Sequence, residues 1–454
     1  MFKVLLTAIS SNSGKTAVTC GLLSLLKRKG YDPCAFKCGP DYIDPMFHRS
    51  VLGISSNNLD VFLAGEDGVR EIFARCSEGH GAAVCEGVMG FYDGVKRFDE
   101  VESGDFASAH HVADLLDIPA VLVVRPKGAA LTLAAVIKGA TEFRAPRRIC
   151  GVIFNDCSEA YYRMYGPQIE QESGVPVLGY VPHMEEADFE SRHLGLMTAE
   201  EIGDLAERID RIGQTMEETI DLEKLFEAVG AEDTDGDGAE EHNAAAERQA
   251  DVRIAVARDE AFNFIYAETL AALERAGAEI VFFSPVHDDS LPDDIDGLYL
   301  PGGYPELYGK QLSENTAMLE SIRAAVQSGL PTVAECGGFL YLSASLEDAD
   351  GKDWPMAGVL PGHGSNAGKL VRFGYGYISA EQDSLLLRAG EKVPVHEFHY
   401  WDTTADGTDM ILTKVSNGKQ WNFGYAGETL YAGFPHLYLG GRQLAERFVS
   451  ACKR

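Results

Sequence analysis

Residues 8–16, Ala-Ile-Ser-Ser-Asn-Ser-Gly-Lys-Thr, connect an apolar run near the N-terminus to a run with helical spacing. This order predicts a strand, a tight loop and a helix start. In that setting backbone N–H groups and the helix dipole face bound phosphates, Lys15 reaches the terminal phosphates, and the Thr16 hydroxyl can ligate magnesium. Ile9 stands where the usual pattern, G-x-x-x-x-G-K-[ST], has its first glycine. The stretch therefore predicts a variant phosphate loop that binds a nucleotide.

Strand-like and helical patterns alternate along both halves of the chain. Apolar runs of strand length recur through the first 181 residues and again from residue 253, with helical spacing between them. Such alternation predicts mostly parallel sheets of β-α units, with helices on both faces. We therefore expect an α/β protein with two doubly wound, mostly parallel-sheet domains.

Composition marks the boundary between the halves. The segment from Leu225 to Glu247 contains no Lys or Arg, is rich in Asp and Glu, and has few apolar residues, as solvated linkers do. The sequence therefore predicts a nucleotide-binding domain over residues 1–224, an acidic linker over residues 225–250 and a second domain over residues 251–454.

The chain is strongly acidic, with 39 basic and 70 acidic side chains among 454 residues and a formal net charge of -31. Binding to nucleic acid or to an anionic membrane needs basic patches, so we expect neither partner and expect small molecules instead. No run of about 18 apolar residues occurs, and the nine cysteines are scattered without a C-x-x-C pair. These features predict a soluble, cytoplasmic protein with reduced thiols.

Acidic residues follow two predicted strands of the first domain. Asp41 and Asp44 lie in a Gly- and Pro-rich stretch, and Glu86 comes directly after a buried apolar run. Carboxylates at the carboxyl edge of a parallel sheet can complete a magnesium site, and Asp41 and Glu86 are the candidate ligands beside Thr16. The alternative for the aspartates is local hydrogen bonding in a turn.

Asn155 ends a later strand-like run of the same domain. Its amide can hydrogen-bond to a nucleotide base, which makes it a candidate nucleotide-binding residue. Asn also favours turns through hydrogen bonds to its own backbone. The sequence leaves both interpretations open.

The second half contains a cysteine at a predicted strand-to-helix turn, Cys336-Gly337-Gly338. A thiol on such an elbow projects into a cleft, and a helix N-terminus favours its thiolate. The Gly302-Gly303 loop at the end of the preceding strand can donate N–H groups to an oxyanion. Most cysteines are simply buried, but this context predicts a nucleophile.

A cysteine nucleophile needs a base, and the candidates are four histidines that follow it: His363, His396, His399 and His436. His436 follows a strand-like run near the end of the chain, where the last strands of such a domain deliver the base. His396 and His399 lie in an alternating segment, on opposite faces of a strand, and a polar strand face explains them as well. We therefore predict that His436 activates Cys336.

Five motifs, in one order over nearly the whole chain, resemble the cobyrinate a,c-diamide synthase family. They are Ser13-Gly14-Lys15-Thr16, FKCGPDYIDP at residues 36–45, EGVMG at residues 86–90 followed by Asp93-Gly94, GGYPE at residues 302–306, and AECGG at residues 334–338. The resemblance implies a dethiobiotin-synthetase-like ATP domain of the P-loop NTPase class, fused to a class I glutamine amidotransferase domain.

The resemblance also implies a reaction and residue roles. The reaction is ATP-dependent, glutamine-hydrolysing amidation of the a and c carboxylates of cobyrinate, in cobalamin biosynthesis, through acyl-phosphate intermediates and with Mg²⁺. By position, the resemblance implies nucleotide binding by Ser13, Gly14, Lys15 and Thr16, and metal binding by Thr16, Asp41 and Glu86. It implies that Asp44 and Asp93 are acids of the synthetase active site. It also implies that Cys336 is the glutamine nucleophile and that His436 activates it.

One departure concerns the third member of the amidotransferase triad. Amidotransferases with a full triad carry an acid two residues after the histidine, and here Tyr438 stands at that position. The resembling family lacks that acid too, so a Cys-His dyad is expected.

Two alternatives stay open from the sequence. The same diamidation could act on another tetrapyrrole, such as nickel-sirohydrochlorin. The chain could also be a P-loop switch protein whose inactive amidotransferase domain serves for binding, although an intact Cys336 and His436 disfavour that function. If the chain self-associates, we expect a homodimer.

Overall fold

The computed structural model describes residues 1–98, 104–187, 199–231, 250–441 and 443–453. By their internal contacts these residues divide into two units. The first unit contains described residues 1–61, 65–95 and 104–231, and the second contains residues 62–64, 96–98 and 250–453. Each unit contains a mostly or wholly parallel sheet, which confirms the predicted fold class.

Seven parallel strands form the sheet of the first unit. They are β1 (Phe2–Thr7), β2 (Pro33–Cys38), β3 (Ser56–Leu59), β4 (Ala82–Glu86), β5 (Ala120–Val124), β6 (Ile149–Asn155) and β7 (Val177–Val181). Their order is β3-β2-β4-β1-β5-β6-β7. Strand β1 lies between β4 and β5, where the strand order changes direction, so the phosphate loop leaves the sheet at a switch point that favours ligand binding.

Among the described residues of this unit, eight helices connect these strands or follow them. They are α1 (Lys15–Arg28), α2 (Ile43–Leu52), α3 (Val61–Ser77), α4 (Ala109–Leu115), α5 (Thr132–Glu142), α6 (Glu159–Ser173), α7 (Ala199–Thr219) and α8 (Leu222–Val229), with a 3₁₀ helix at Glu185–Ala187. Non-helical backbone at Gly65 interrupts α3. Across the described residues, no helix combines the length and the apolar character that crossing a bilayer requires.

Helix α1 packs between the sheet and α7. Its Val18 and Leu22 are fully buried in the core that also contains Ile212 and Met216 of α7. Gly21 lies at the contact between the two helices, since an added Cβ there would lie 2.7 Å from Ile212 Cγ2 and 2.4 Å from Met216 Sδ. This packing fixes the helix that begins with Lys15.

Helix α8 extends the first unit beyond the domain boundary that composition places after residue 224. Leu225 and Phe226 are buried in the core of the first sheet, and the rings of Phe226 and Phe2 lie 4.9 Å apart. Burial of these apolar side chains therefore makes the helix part of the first unit, although its composition is acidic. The remainder of the predicted linker, residues 232–249, lies outside the described residues.

The second unit contains a six-stranded sheet in the order β10-β8-β11-β13-β23-β22, in which only β22 runs antiparallel to its neighbour. Its strands are β8 (Val252–Ala257), β10 (Ala278–Phe283), β11 (Gly297–Leu300), β13 (Thr332–Glu335), β22 (Tyr425–Ala426) and β23 (Leu430–Gly433). A short pair joins β9 (Phe262–Phe264) to β12 (Gly302–Gly303). The helices are α9 (Ala267–Arg275), α10 (Gly309–Glu314), α11 (Thr316–Gln327), α12 (Gly337–Leu342) and α13 (Leu444–Cys452), with a 3₁₀ helix at Pro305–Leu307.

Two further sheets complete the second unit. One has the order β15-β14-β16-β19 and contains β14 (Ser345–Glu347), β15 (Asp353–Pro355), β16 (His363–Asn366) and β19 (Trp401–Thr403). The other is antiparallel, has the order β21-β20-β17-β18-β24, and contains β17 (Arg372–Ala380), β18 (Val393–His399), β20 (Met410–Lys414), β21 (Gln420–Phe423) and β24 (His436–Leu437). Strand β24 carries His436 and follows β23 of the parallel sheet, so this connection brings the histidine to the end of that sheet.

Replacing Gly21 with Ala tests the packing of α1 on α7. Ala gains about 1 kcal/mol of helix propensity, but its methyl group overpacks the contact with Ile212, which costs about 1–3 kcal/mol. We expect a net loss of stability and a melting temperature lower by a few degrees in a circular-dichroism melt. The matched control is Gly139→Ala in α5, where nothing lies within 4 Å of an added Cβ, and which should raise the melting temperature. A Gly21→Ala protein at least as stable as the parent would contradict this packing.

Candidate active sites

The phosphate loop holds Lys15 at the start of α1. Its Nζ donates hydrogen bonds to the carbonyl oxygens of Met89, at 2.8 Å, and Ser10, at 3.4 Å. Burial lowers the pKa of Lys15, and the nearby Glu86 carboxylate opposes that shift. The ammonium is thus held between two backbone oxygens, for which phosphate oxygens are direct substitutes.

Thr16 and Glu86 lie together, as the magnesium prediction requires. The Thr16 hydroxyl donates to Glu86 Oε1 at 2.8 Å. Glu86 is fully buried, and its other oxygen, Oε2, has no hydrogen-bond partner among the described residues. An unpartnered buried carboxylate oxygen beside a hydroxyl fits a divalent cation. Within the described ranges no group of three or more His, Cys, Asp or Glu side chains is arranged around one metal position, so such a cation would draw its other ligands from phosphates and water.

Lys37 lies at the centre of the acidic cluster. Its ammonium contacts the Asp44 carboxylate and lies 2.9 Å from Glu86 Oε1 and 3.6 Å from Asp41 Oδ2. Burial alone would lower the pKa of Lys37, but the three carboxylates outweigh burial and raise that pKa well above its usual value. The motif at residues 36–45 gave Lys37 no predicted role, although a lysine inside an otherwise apolar strand was a signal that it contacts buried acids.

Asp41 makes the local hydrogen bonds that its turn predicted. Its Oδ1 accepts the N–H groups of Ile43, at 2.9 Å, and Asp44, at 3.3 Å. The amide of Asn58 in β3 donates to the Asp41 carbonyl at 2.6 Å and holds the turn. Asp41 therefore positions the start of α2, and because Lys37 lies between Asp41 and Glu86, metal binding by Asp41 stays a prediction.

Asp93 and Asn155 both brace loops of this site. Asp93 Oδ2 accepts the N–H of Gly90 at 2.9 Å, within the loop that follows β4. The Asn155 amide donates to the Ser13 carbonyl at 2.9 Å and so supports the phosphate loop. A catalytic role for Asp93 and contact between Asn155 and the nucleotide stay predictions.

Cys336 stands on a strained turn between β13 and α12. Its backbone has φ 48° and ψ -104°, a conformation that a residue other than glycine rarely adopts. The Cys336 N–H donates to the Gly433 carbonyl at 2.9 Å, which anchors the turn to β23. This geometry is that of a nucleophile elbow, as the sequence predicted.

The Gly302-Gly303 loop lies directly beside this elbow. An added Cβ at Gly337 would lie 3.0 Å from the Gly303 nitrogen, and an added Cβ at Gly302 would lie 2.4 Å from His436 Cε1. The loop that was expected to donate N–H groups to an oxyanion is thus next to both predicted members of the glutaminase site.

His436 lies beside Cys336 and forms a hydrogen bond with it. The imidazole is almost completely buried. Burial acts to lower the pKa of His436, but Cys336 and then Glu335 outweigh it and raise the pKa to about 10. A histidine that keeps its proton next to a thiol favours a thiolate-imidazolium pair.

The other three histidines have different surroundings. His396 lies opposite His436 in the strand register, and its burial, together with His436, lowers its pKa to about 3. His399 stacks on Phe434 with ring centroids 3.9 Å apart, and His363 hydrogen-bonds to Ser345. Their contacts favour His436 as the partner of Cys336.

A carboxylate lies near His436, although Tyr438 at the usual position of the acid and the resemblance to the family predicted a Cys-His dyad. Glu335 Oε2 lies 3.7 Å from His436 Nδ1. This glutamate directly precedes the nucleophile and ends β13. No role was predicted for it, although an acid at the end of an apolar strand was a signal in the sequence. Tyr438 packs on Tyr266, with ring centroids 5.6 Å apart.

Two family models match the chain, one over each site. The model described as the CobQ/CobB/MinD/ParA nucleotide binding domain matches residues 4–196. The model described as the CobB/CobQ-like glutamine amidotransferase domain matches residues 253–443. The two matches agree with the positions of the phosphate loop and the cysteine elbow.

Three relatives, all named cobyrinate a,c-diamide synthase, match nearly end to end. The protein from Priestia megaterium is 36% identical over 99% of this chain and 97% of its own length. The protein from Clostridium tetani is 39% identical over 97% of this chain and 98% of its own length. The protein from Salmonella typhimurium is 37% identical over 99% of this chain and 98% of its own length. With both sites present and both domains matched, this chain belongs to the cobyrinate a,c-diamide synthase family.

Proposed function

We propose that this protein is an ATP-dependent ligase that amidates the a and c carboxylates of cobyrinate with ammonia from glutamine. The observation that carries the proposal is the strained Cys336 hydrogen-bonded to His436, on a chain whose other unit holds Lys15 and Thr16 in a phosphate loop. One pocket suits carboxylate activation and the other suits release of ammonia. The names of the relatives favour cobyrinate over nickel-sirohydrochlorin, and the intact glutaminase site disfavours a protein that only binds.

The first unit would activate the carboxylate. A carboxylate does not react with ammonia, so ATP first converts it into an acyl phosphate. The Lys15 ammonium stabilises negative charge on the phosphoryl group as it transfers. Mg²⁺ is the proposed metal, held by Thr16 and Glu86, where it would neutralise phosphate charge. Lys37 pairs with Glu86 Oε1, and Glu86 Oε2, which has no hydrogen-bond partner among the described residues, would be available to the cation.

The second unit would release ammonia. The Cys336 thiolate attacks the side-chain amide carbon of glutamine, and N–H groups of the Gly302-Gly303 loop and the elbow stabilise the oxyanion. The C–N bond then breaks as the His436 imidazolium protonates the departing nitrogen. Water hydrolyses the resulting glutamyl thioester, which frees glutamate and restores the thiol. The ammonia displaces phosphate from the acyl phosphate and forms the amide.

The cysteines and the net charge bear on the compartment of the enzyme and on the class of its substrates. All nine cysteines are free thiols, which supports a reducing compartment and hence the cytoplasm. The net charge of -31 supports small-molecule substrates over nucleic acid.

The substrate assignment is tested by incubating the protein with ATP, Mg²⁺, glutamine and a panel of tetrapyrroles. We expect mass spectrometry to find OH replaced by NH₂ at two carboxylates of cobyrinate. Preferred amidation of another macrocycle would contradict the substrate, and no amidation of any panel member would contradict the activity.

Replacing Cys336 with Ala removes the nucleophile. We expect glutamine hydrolysis to fall at least about 10³-fold, because covalent catalysis is lost, while amidation with added ammonium salt continues. Ammonia release and amide formation are measured separately. Cys76→Ala, at a half-buried cysteine in α3, is the matched control and should hydrolyse glutamine normally. Equal ammonia release from the Cys336→Ala variant and the parent would refute the assignment.

Neutralising Glu86 tests the metal site. Glu86→Gln removes the charge of a proposed metal ligand, so we expect weaker Mg²⁺ binding and slower ATP cleavage, by about 10- to 100-fold. Rates are measured as a function of Mg²⁺ concentration, with Glu78→Gln, an exposed residue before β4, as control. An unchanged Mg²⁺ dependence in Glu86→Gln would remove Glu86 from the metal site.

Adding a methyl group at Gly302 tests the geometry of the glutaminase site. The new Cβ would collide with the His436 ring, so Gly302→Ala should displace the imidazole and slow glutamine hydrolysis by about 10²-fold, with ammonia-dependent amidation intact. The control is Gly427→Ala, where an added Cβ meets nothing within 4 Å. Normal glutamine hydrolysis by Gly302→Ala would show that His436 does not need its observed position.

A further inference from the structure

Glu335 is a buried acid to which the proposed mechanism has given no role. Its side chain is about 1% exposed, and its Oε2 lies 3.7 Å from His436 Nδ1. That separation is within ion-pair distance but longer than a hydrogen bond. Catalytic hydrogen bonds are often long without substrate and tighten when substrate binds.

The Glu335 carboxylate is held from two other directions. Its Oε1 accepts the N–H of Leu437 at 3.0 Å, and its Oε2 accepts the hydroxyl of Tyr299 at 3.2 Å. Leu437 directly follows His436 in β24. The carboxylate is therefore fixed to the backbone that carries the histidine as well as lying next to its ring.

We propose that Glu335 is the positioning residue that orients the His436 imidazole toward Cys336, so that the acid of this glutaminase triad comes from the residue before the nucleophile. The inference rests on the proposed glutaminase function and names a residue that supports it. Position 438 cannot supply the acid, because it is a tyrosine packed on Tyr266.

A carboxylate at Nδ1 has two effects on a catalytic histidine. It favours the tautomer with a proton on Nδ1, which leaves Nε2 available to the nucleophile, and it stabilises the imidazolium that forms during the reaction. The site needs both effects, since His436 exchanges a proton with Cys336 and then with the departing nitrogen of glutamine.

The charges around His436 support this role. The ionisable groups that interact with it come from the elbow, from β13 and from β18: Cys336, Glu335, His396, Glu397 and His399. Burial lowers the pKa values of His396 and His399 to about 3 and 4, so neither adds positive charge near neutral pH. Burial also raises the pKa of Glu397 to about 7, so this carboxyl group is only partly ionised near neutral pH.

A purely structural role is the competing interpretation, because Glu335 also accepts hydrogen bonds from Leu437 and Tyr299. Glu335→Gln separates the two interpretations. An amide oxygen can still accept a hydrogen bond, but the charge next to Nδ1 is gone. Glu335→Asp keeps the charge on a shorter side chain, and Tyr299→Phe removes one of the structural hydrogen bonds and keeps the charge.

The experiment measures glutamine hydrolysis against pH for the full-length parent and the three variants. For Glu335→Gln we expect kcat to fall at least about tenfold, up to the ~10²–10⁴-fold that a positioned acid-base group contributes, with KM for glutamine little changed. The Cys336–His436 pair is active with His436 protonated, and loss of the Glu335 carboxylate lowers the pKa of His436. The alkaline limb of the profile should therefore move to lower pH.

The variants and three further readouts give the controls. Glu335→Asp should keep the alkaline limb near that of the parent, and Tyr299→Phe should not move it to lower pH. Iodoacetamide should alkylate Cys336 more slowly at pH 7 in Glu335→Gln, because less thiolate is present. Ammonia-dependent amidation reports that the synthetase unit is intact, and a circular-dichroism melt of every protein reports whether the variant has folded.

The outcomes distinguish this inference from the function on which it rests. If the parent hydrolyses glutamine and Glu335→Gln matches it in kcat and in the alkaline limb, Glu335 has no positioning role. If Tyr299→Phe reproduces the full effect of Glu335→Gln, the hydrogen-bond network and not the charge is responsible, and the proposal is wrong. If the parent releases no ammonia from glutamine, the proposed function itself fails.

Discussion

Buried negative charge at the ends of parallel strands is the constraint on which both sites depend. Glu86 ends β4 and Glu335 ends β13, and each is almost inaccessible to solvent. A carboxylate in such a place is tolerated only with a cation or several hydrogen-bond donors. Lys37 provides the cation for Glu86, and His436 provides it for Glu335. The positions of these two partners determine what each site can do.

The same constraint limits how either site can change. Removal of one member of a buried ion pair leaves an uncompensated charge and commonly costs about 3–5 kcal/mol. In the first unit, the Lys37 ammonium contacts Asp41, Asp44 and Glu86, so loss of this one lysine would leave all three carboxylates without it. In the second unit, the backbone N–H of Leu437 and the hydroxyl of Tyr299 share the stabilisation of Glu335 with His436. Charge compensation and catalytic geometry therefore depend on the same contacts.

Close backbone approach is the second requirement of the glutaminase site. Gly302 lets the His436 ring pack against the main chain, and Cys336 accepts a strained turn that its neighbours hold in place. Strain of this kind persists only where surrounding contacts fix it, and it is common at catalytic residues. Packing of the elbow against β23 and the Gly302-Gly303 loop provides those contacts.

Sequence patterns identified most of the fold because apolar strands and helical spacing are local signals. The apolar runs that recur through residue 181 and again from residue 253 form parallel strands such as Ala120–Val124, Val177–Val181 and Gly297–Leu300. Strand β3, Ser56–Leu59, has no apolar run to mark it in the sequence, because three of its four residues are polar, and it pairs with β2. Helix α8 extends into the predicted linker, because its few apolar residues pack in a core that composition does not reveal.

The sequence by itself indicated the chemistry of both sites, because a phosphate loop and a cysteine elbow each consist of contiguous residues that a local pattern can identify. The sequence predicted that His436 acts on Cys336, although the two lie 100 positions apart in the chain. The fold brings them together through the pairing of β13 with β23. Only the tertiary structure revealed the partners of the buried acids. Lys37 meets Glu86, and Glu335 meets His436, because strands distant in sequence end at the same edge of a sheet, and no local pattern records which charges a parallel sheet brings together there.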